Sequence, residues 1–371
     1  RHWPAVMPQL VKPSFSYLRG MPLLPTIGFQ QEYRLRDEQL RRQYALAPLD
    51  LAKPSELFAI PKTTQASYDW FTLHSVVSTD AGQTPLAQGR RLRQWQEDGR
   101  NFAEYQTNGP IRNLAVWYSL AGTSISRQHD NVTLTVYSPQ LNAAAELNMR
   151  AMQDTLSWMS EHVAPYRAAQ LSLLAMPDLG ATGYALPQMI MINHRVGFRA
   201  EPAADAGFDQ RYRRAVHETA HQWFGHDIGN GVLADSAFLV ESLAKYLELV
   251  LIEQHYGHDA MQALVEFERQ RFKLAVMRST EHTTALVDAT ENHDLYSRAT
   301  LVFAILRQQL GDAVISKALR QLWQQHGYPQ TPATSMDFVR ALQAQVNQQQ
   351  QQLIADLLLG TDVSLLMAAD N

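Results

Sequence analysis

Residues 217–221 read His217-Glu218-Thr219-Ala220-His221, and this short pattern constrains the chain more than any other stretch of it. On a helix, residues four apart share a face, so the two imidazoles project side by side and can hold one Zn²⁺ at about 2.0 to 2.1 Å each. Glu218 leaves the backbone on the adjacent flank, where a carboxylate reaches a metal-bound water. That is the arrangement of a hydrolytic zinc site. Composition alone gives about 0.02 such patterns in a chain of this size, so two ordinary core histidines are a poor explanation.

A catalytic zinc has three protein ligands and one open position. His226 lies nearby, but the pattern that recruits a third histidine from a turn needs glycine three residues after the second histidine and the ligand three further on. Phe224 and Asp227 stand at those places. The better candidate is Glu241 in AFLVESLAKYLELVLIEQ, a second helical segment expected to pack antiparallel to the first across a loop near Gly229-Asn230-Gly231. His217, His221 and Glu241 then form a His₂Glu set. Arg211, Arg213 and Arg214, just before the motif, are expected to face solvent at a helix start.

The rest of the chain narrows the class. With 371 residues, of which 46% are hydrophobic and 18% charged, it has material for two or three domains with real cores. The formal net charge is −4 and no basic stripe runs along the sequence, which argues against nucleic acid as a partner. There is no cysteine, which removes disulfide scaffolds, thiol catalysis and thiolate metal sites. No run approaches the ~18 apolar residues of a membrane span, and the first ten residues show no signal-peptide core. The sequence starts at Arg1 rather than a methionine, which favours a piece of a longer protein.

Periodicity divides the chain. From Tyr68 to about Tyr137, short runs of β-branched and aromatic residues alternate, and Asp98-Gly99 marks a hairpin. Residues 31–46 carry mixed charge at helical spacing and read as a short exposed helix or, by preference, a solvated connector. From Asn142 the pattern is helical, with Leu147, Met152, Leu156 and Trp158 or Met159 on one face. AQLSLLAMP is the one strand expected to interrupt it, and nearly everything after Phe208 reads as helix. Gln348 to Gln352 reads as an exposed helical turn. The expected class is α+β, with a β-rich part over residues 1–130 and a mainly helical part over 131–371.

HETAHQWFGHDI, VESLAKYLE and LYSRATLVFAILRQQLG together resemble the gluzincin aminopeptidases of the aminopeptidase N and leukotriene hydrolase type, over roughly residues 130 to 345. The resemblance implies a thermolysin-like zinc peptidase domain with one Zn²⁺ per chain, and the β-rich stretch resembles the latter part of the family's N-terminal β domain. It also implies a metallopeptidase, with Glu218 as general base and Tyr296 as the phenol that hydrogen-bonds the oxyanion. LLPTIGFQQEYRLRDEQLRRQYAL, and a His221-to-Glu241 spacing one residue longer than in ordinary members, are most similar to peptidase-like domains fused to bacterial ABC transporter permeases. That likeness implies a membrane-tethered parent, an extracytoplasmic (periplasmic) location, and transporter membrane and ATPase subunits as partners.

One departure bears on substrate choice. The family's Gly-x-Met-Glu-Asn strand captures the substrate amine with its glutamate, and here the segment reads Gly183-Tyr184-Ala185-Leu186-Pro187. The carboxylate is absent. Gly183, Tyr184, Ala185 and Leu186 are still expected to bind an extended peptide by strand addition. The alternative is a catalytically weak or inactive zinc-containing module that binds peptides for a transporter.

Overall fold

Alternating sequence in the first third of the chain produces short antiparallel strands. In this computed structural model, which describes residues 9–367 except 21–22, 24–34, 36–37, 49–52, 58–69, 113, 178–181, 202–206, 230–236 and 279–282, the hairpin β1 (Gln9–Lys12) and β2 (Phe15–Arg19) comes first. A short helix α1 (Glu38–Gln43) follows; part of the expected connector at 31–46 lies outside the described residues. Then come β3 (Trp70–Phe71), β4 (His74–Asp80), β5 (Thr84–Ala87), β6 (Arg90–Glu97), β7 (Arg100–Gln106), β8 (Ile111–Arg112) and β9 (Val116–Leu120). They form three small sheets, ordered β1-β2-β9-β5, β4-β7-β6 and β3-β8. The turn between β6 and β7 is Asp98-Gly99, with φ of 49° and 73°, and both signs are what a two-residue hairpin turn of this twist requires.

A five-stranded mixed sheet carries the rest. It is built from β10 (Thr123–His129), β11 (Val132–Ser138), β12 (Gln170–Met176), β13 (Gly183–Leu186) and β14 (Met189–Asn193), in the order β10-β11-β12-β14-β13. β11, β12 and β14 run parallel, and the crossover from β11 to β12 is the helix α2 (Ala143–His162). Asn142 caps that helix, its side-chain oxygen accepting from the amides of Ala144 and Ala145 at 3.0 and 3.3 Å.

Alternate residues of a strand face opposite sides, and here both sides are covered. Leu171, Leu173, Ala175, Ile190 and Ile192 pack among the helices, whereas Leu174, Met176, Met189 and Met191 pack against the β-rich part. Residues 183–193 therefore form two strands where the sequence reading expected none from periodicity. MIMIN, buried at every position, has no alternation to show.

Helices complete the molecule: α3 (His194–Gly197), α4 (Gln210–Ala220), α5 (Glu241–Tyr256), α6 (His258–Arg278), a π-helical turn (His293–Arg298) running directly into α7 (Ala299–Leu310), then α8 (Asp312–His326), α9 (Ser335–Gln343) and α10 (Gln348–Leu358). From Ser242 to Ile252 every residue of α5 is buried, so this helix is the axis around which the others pack. Gly257 ends it with φ 91°, a left-handed closure that favours glycine. The glutamine run opens α10, with Asn347 and Gln350 capping each other. The α+β architecture expected from the sequence is the one observed.

The β-rich part is fastened next to the motif helix. Buried Gln88 donates to the Pro187 and Leu114 carbonyls at 2.8 and 3.0 Å and accepts from the Val116 amide at 3.0 Å. Arg112 donates to the Gly225 carbonyl, in the turn that follows His221. Trp70 packs on Tyr328 with ring centres 4.2 Å apart.

Candidate metal centre

Asp209 accepts from the Arg211 amide and starts α4, and the helix then aims one face into a cleft of about 1250 Å³. Gln210, Arg214, His217, Glu218 and His221 recur at helical spacing along that face. α5 brings Glu241 to the same place at its first turn, and the π-helical turn before α7 brings Tyr296. All five residues singled out for chemistry in the sequence meet here.

Their geometry is that of a cation site. Glu241 Oε2 lies 3.1 Å from His217 Nε2 and 3.6 Å from His221 Nε2. The three donors all lie within 4.8 Å of one another. Tetrahedral bonds of 2.0–2.1 Å would place neighbouring donors about 3.3 Å apart, which the two observed separations bracket. The far side of each imidazole is engaged: His217 Nδ1 is 2.7 Å from Glu248 Oε1, and His221 Nδ1 is 3.2 Å from the Phe224 carbonyl. Both rings thus turn Nε2 to the shared point, and the donor set suits Zn²⁺.

The electrostatics agree. Burial works to raise the Glu241 carboxyl, but the charge of His221 and hydrogen bonds from His217 and Tyr296 outweigh it and hold it at about 2. Burial pushes the Tyr296 phenol up, and the Glu241 and Glu218 carboxylates push it further, so the hydroxyl keeps its proton. Burial lowers His221; for His217 burial acts the same way, but Glu241 and Glu248 reverse it.

Gly183 explains how the strand meets the site. A Cβ built there would lie 2.0 Å from Glu218 Oε1, so a larger residue at this place would push the carboxylate aside. Gly183, Tyr184 and Ala185 line the cleft. Leu186 does not: its side chain is buried against the β-rich part and its carbonyl accepts from Gln222 at 3.1 Å. His226 lines the cleft but is no member of the donor cluster.

Directly behind His217 stands a second charged group that the sequence reading missed. Arg213 bonds both Glu248 and Glu268, Lys245 reaches the same two carboxylates, and Ser297 donates to Glu268 at 2.6 Å. All are buried. The expectation that Arg211, Arg213 and Arg214 face solvent is corrected: Arg211 is buried on Asp209, Arg213 is inside this cluster, and Arg214 lines the cleft 3.4 Å from Glu218. The available signal was Lys245 and Glu248 within an otherwise apolar helix.

With this geometry in place, comparison with known proteins is informative. A family profile described as the peptidase family M1 domain matches residues 147–357, more than half of the chain. Among solved structures the chain is similar to an M1 zinc metallopeptidase from Deinococcus radiodurans, at 19% identity and a TM-score of 0.60, covering 82% of this chain and 67% of that one. A mutant form of the Deinococcus enzyme gives 17% identity and a TM-score of 0.61, covering 82% of this chain and 68% of that one. A mutant bound to a Tyr-Ser-Ala substrate gives 18% and 0.61, with 82% and 67% covered. No curated protein matches by sequence.

Proposed function

The chain belongs to peptidase family M1, and from that premise we propose that it is a zinc-dependent, aminopeptidase-like metallopeptidase with His217, His221 and Glu241 as ligands. The observation that carries the reading is the convergence of two Nε2 atoms and one carboxylate oxygen beside a glutamate that belongs to none of those contacts. Bound there, Zn²⁺ would polarise a scissile carbonyl and lower the pKa of a water. Glu218 stands next to this point to take the water's proton and pass it to the leaving amine. Tyr296, protonated, donates to the oxygen on which negative charge develops. The β13 edge, opened by Gly183, aligns the peptide by strand addition.

The test is Glu218→Gln. Turnover should fall by about 10²- to 10⁴-fold while zinc content, measured by mass spectrometry, stays near one per chain. Wild-type-like turnover would sink the assignment.

The reading extends to context. Residues 1–130 are taken as the latter part of a β domain and 131–371 as the catalytic unit. Resemblance of the 23–46 segment and of the ligand spacing supports a domain of a bacterial permease outside the cytoplasm, partnered by ABC transporter subunits. No helix among the described residues is long and apolar enough to cross a membrane. Leu186, standing where an amine-binding carboxylate would be, favours a second reading as a zinc-holding peptide-binding module. Zinc without cleavage in the wild-type protein would select it.

A further inference from the structure

Six arginines line the cleft: Arg19, Arg112, Arg199, Arg213, Arg214 and Arg271. Among the described residues three glutamates line it too, and two of these, Glu218 and Glu241, are committed to the chemistry. The third, Glu291, is exposed. Arg213 and Arg271 share Glu268 and Arg214 lies 3.4 Å from Glu218, whereas Arg199 meets no carboxylate among the described residues.

Three of the arginines, Arg199, Arg214 and Arg271, stand on parts of the wall that α4 joins. Arg211, in the first turn of α4, donates to the Arg199 and Ala200 carbonyls at 3.0 and 2.7 Å and so ties Arg199 to the start of that helix. Arg214 follows one turn later. Arg271 reaches over from α6, resting at 5.6 Å on Phe267, the ring that Arg213 also contacts, and pairing with Glu268 at 3.2 Å. Arg199 has no carboxylate partner among the described residues, and its Nε is buried without a hydrogen bond. A buried donor without a partner is costly until an acceptor meets it. A carboxylate meets it best, through paired N–H donors.

We propose that Arg199, with Arg214 and Arg271, binds a substrate carboxylate, so that the cleft selects peptides by an anionic group near the scissile bond. The proposal rests on the peptidase reading above and names its substrate class. Arg214 precedes His217 and Glu218 by three and four residues, about 5 to 6 Å along the helix. An extended peptide advances about 3.4 Å per residue, so the carboxylate lies one or two residues from the bond that is cut. It is either the peptide's C-terminal carboxylate or an acidic side chain.

The experiment uses four alanine-based tetrapeptides with the zinc-loaded full chain: a free acid, its C-terminal amide, and two amides with Glu or Gln at the third position. Cleavage is followed by mass spectrometry for the wild type, and binding by calorimetry for Glu218→Gln. Acid over amide identifies the α-carboxylate, and Glu over Gln identifies a side chain. Either preference should be about tenfold or more in kcat/KM and in Kd. Arg199→Gln should bring the ratio close to one, and Arg271→Gln, whose side chain is 55% exposed, serves if Arg199→Gln does not fold. Cleavage of all four peptides at equal rates overturns this inference and leaves the peptidase reading intact. Tighter binding of the carboxylate peptides without any cleavage sustains the inference and overturns that reading. Equal binding without cleavage overturns both.

Discussion

Two clusters of charged side chains lie side by side under the cleft and are balanced in opposite ways. In the rear cluster, buried Arg213 and Lys245 meet buried Glu248 and Glu268, and Arg271 adds a third, exposed cation on Glu268. In the front cluster, two imidazoles converge on the single carboxylate of Glu241 at the cleft wall. The rear group is complete in itself, as a buried ionic group must be to persist. The front group turns two imidazole nitrogens and a carboxylate oxygen to one point, with no Lys or Arg on that carboxylate among the described residues, which is what a cation site looks like. Similar residue types at similar depth therefore do different work, and the charge count distinguishes them.

The largest effect should come from removing the front carboxylate. Glu241→Gln is expected to weaken zinc binding by well over the ~100-fold typical of changes outside the ligand set, while the melting temperature of the metal-free protein moves little. Chelator competition and calorimetry on the same sample read both quantities. Retained tight zinc would mean that Glu241 is no ligand.

The rear cluster should respond in the opposite way. Glu268→Gln leaves Arg213 and Lys245 short of one buried partner and should cost about 3 to 5 kcal/mol at neutral pH, with zinc still bound. Burial acts to raise the Glu268 carboxyl, but Arg213, Lys245 and Arg271 hold it at about 2, against 4.5 for the ordinary group. A carboxyl depressed on folding contributes stability above pH 4.5 and loses it as pH falls toward 2. Denaturation of wild type and variant across that window should show their difference shrinking, and a constant difference would remove the cluster from the acid response.

Glu248 belongs to both groups, touching His217 Nδ1 on one side and Arg213 and Lys245 on the other. Glu248→Gln should lower zinc affinity by about 10- to 100-fold and stability as well. A fall in stability alone would separate the clusters.

How much of this was legible in the sequence follows from the same contrast. The front cluster rests on spacing: His217, Glu218 and His221 share one turn of helix, and Glu241 opens the next long one, so a linear pattern carries the geometry. The rear cluster draws Arg213, Lys245, Glu248 and Glu268 from three helices. Lys245 and Glu248, three apart in an apolar run, are a signal of burial but do not name the partners they meet. Only the packing of α4, α5 and α6 brings them to Arg213 and Glu268. Strand β14 was hidden for a related reason, since a run buried on both faces has no period. Asp98-Gly99 was readable because a tight turn needs its residues locally.

The smallest effect tests whether the two clusters communicate. Ser297 donates to Glu268 and sits next to Tyr296 in the π-helical turn, so it links the rear charges to the phenol at the front. Ser297→Ala removes one hydrogen bond to a charged acceptor and should cost about 1.5 kcal/mol in chemical denaturation. If the link also positions Tyr296, kcat should fall several-fold while KM and zinc affinity hold, because the phenol acts on charge that develops only in the transition state. An unchanged kcat with the same stability loss would show that the rear cluster supports the fold and leaves Tyr296 to be placed by its own packing beside His217, 5.8 Å away ring to ring.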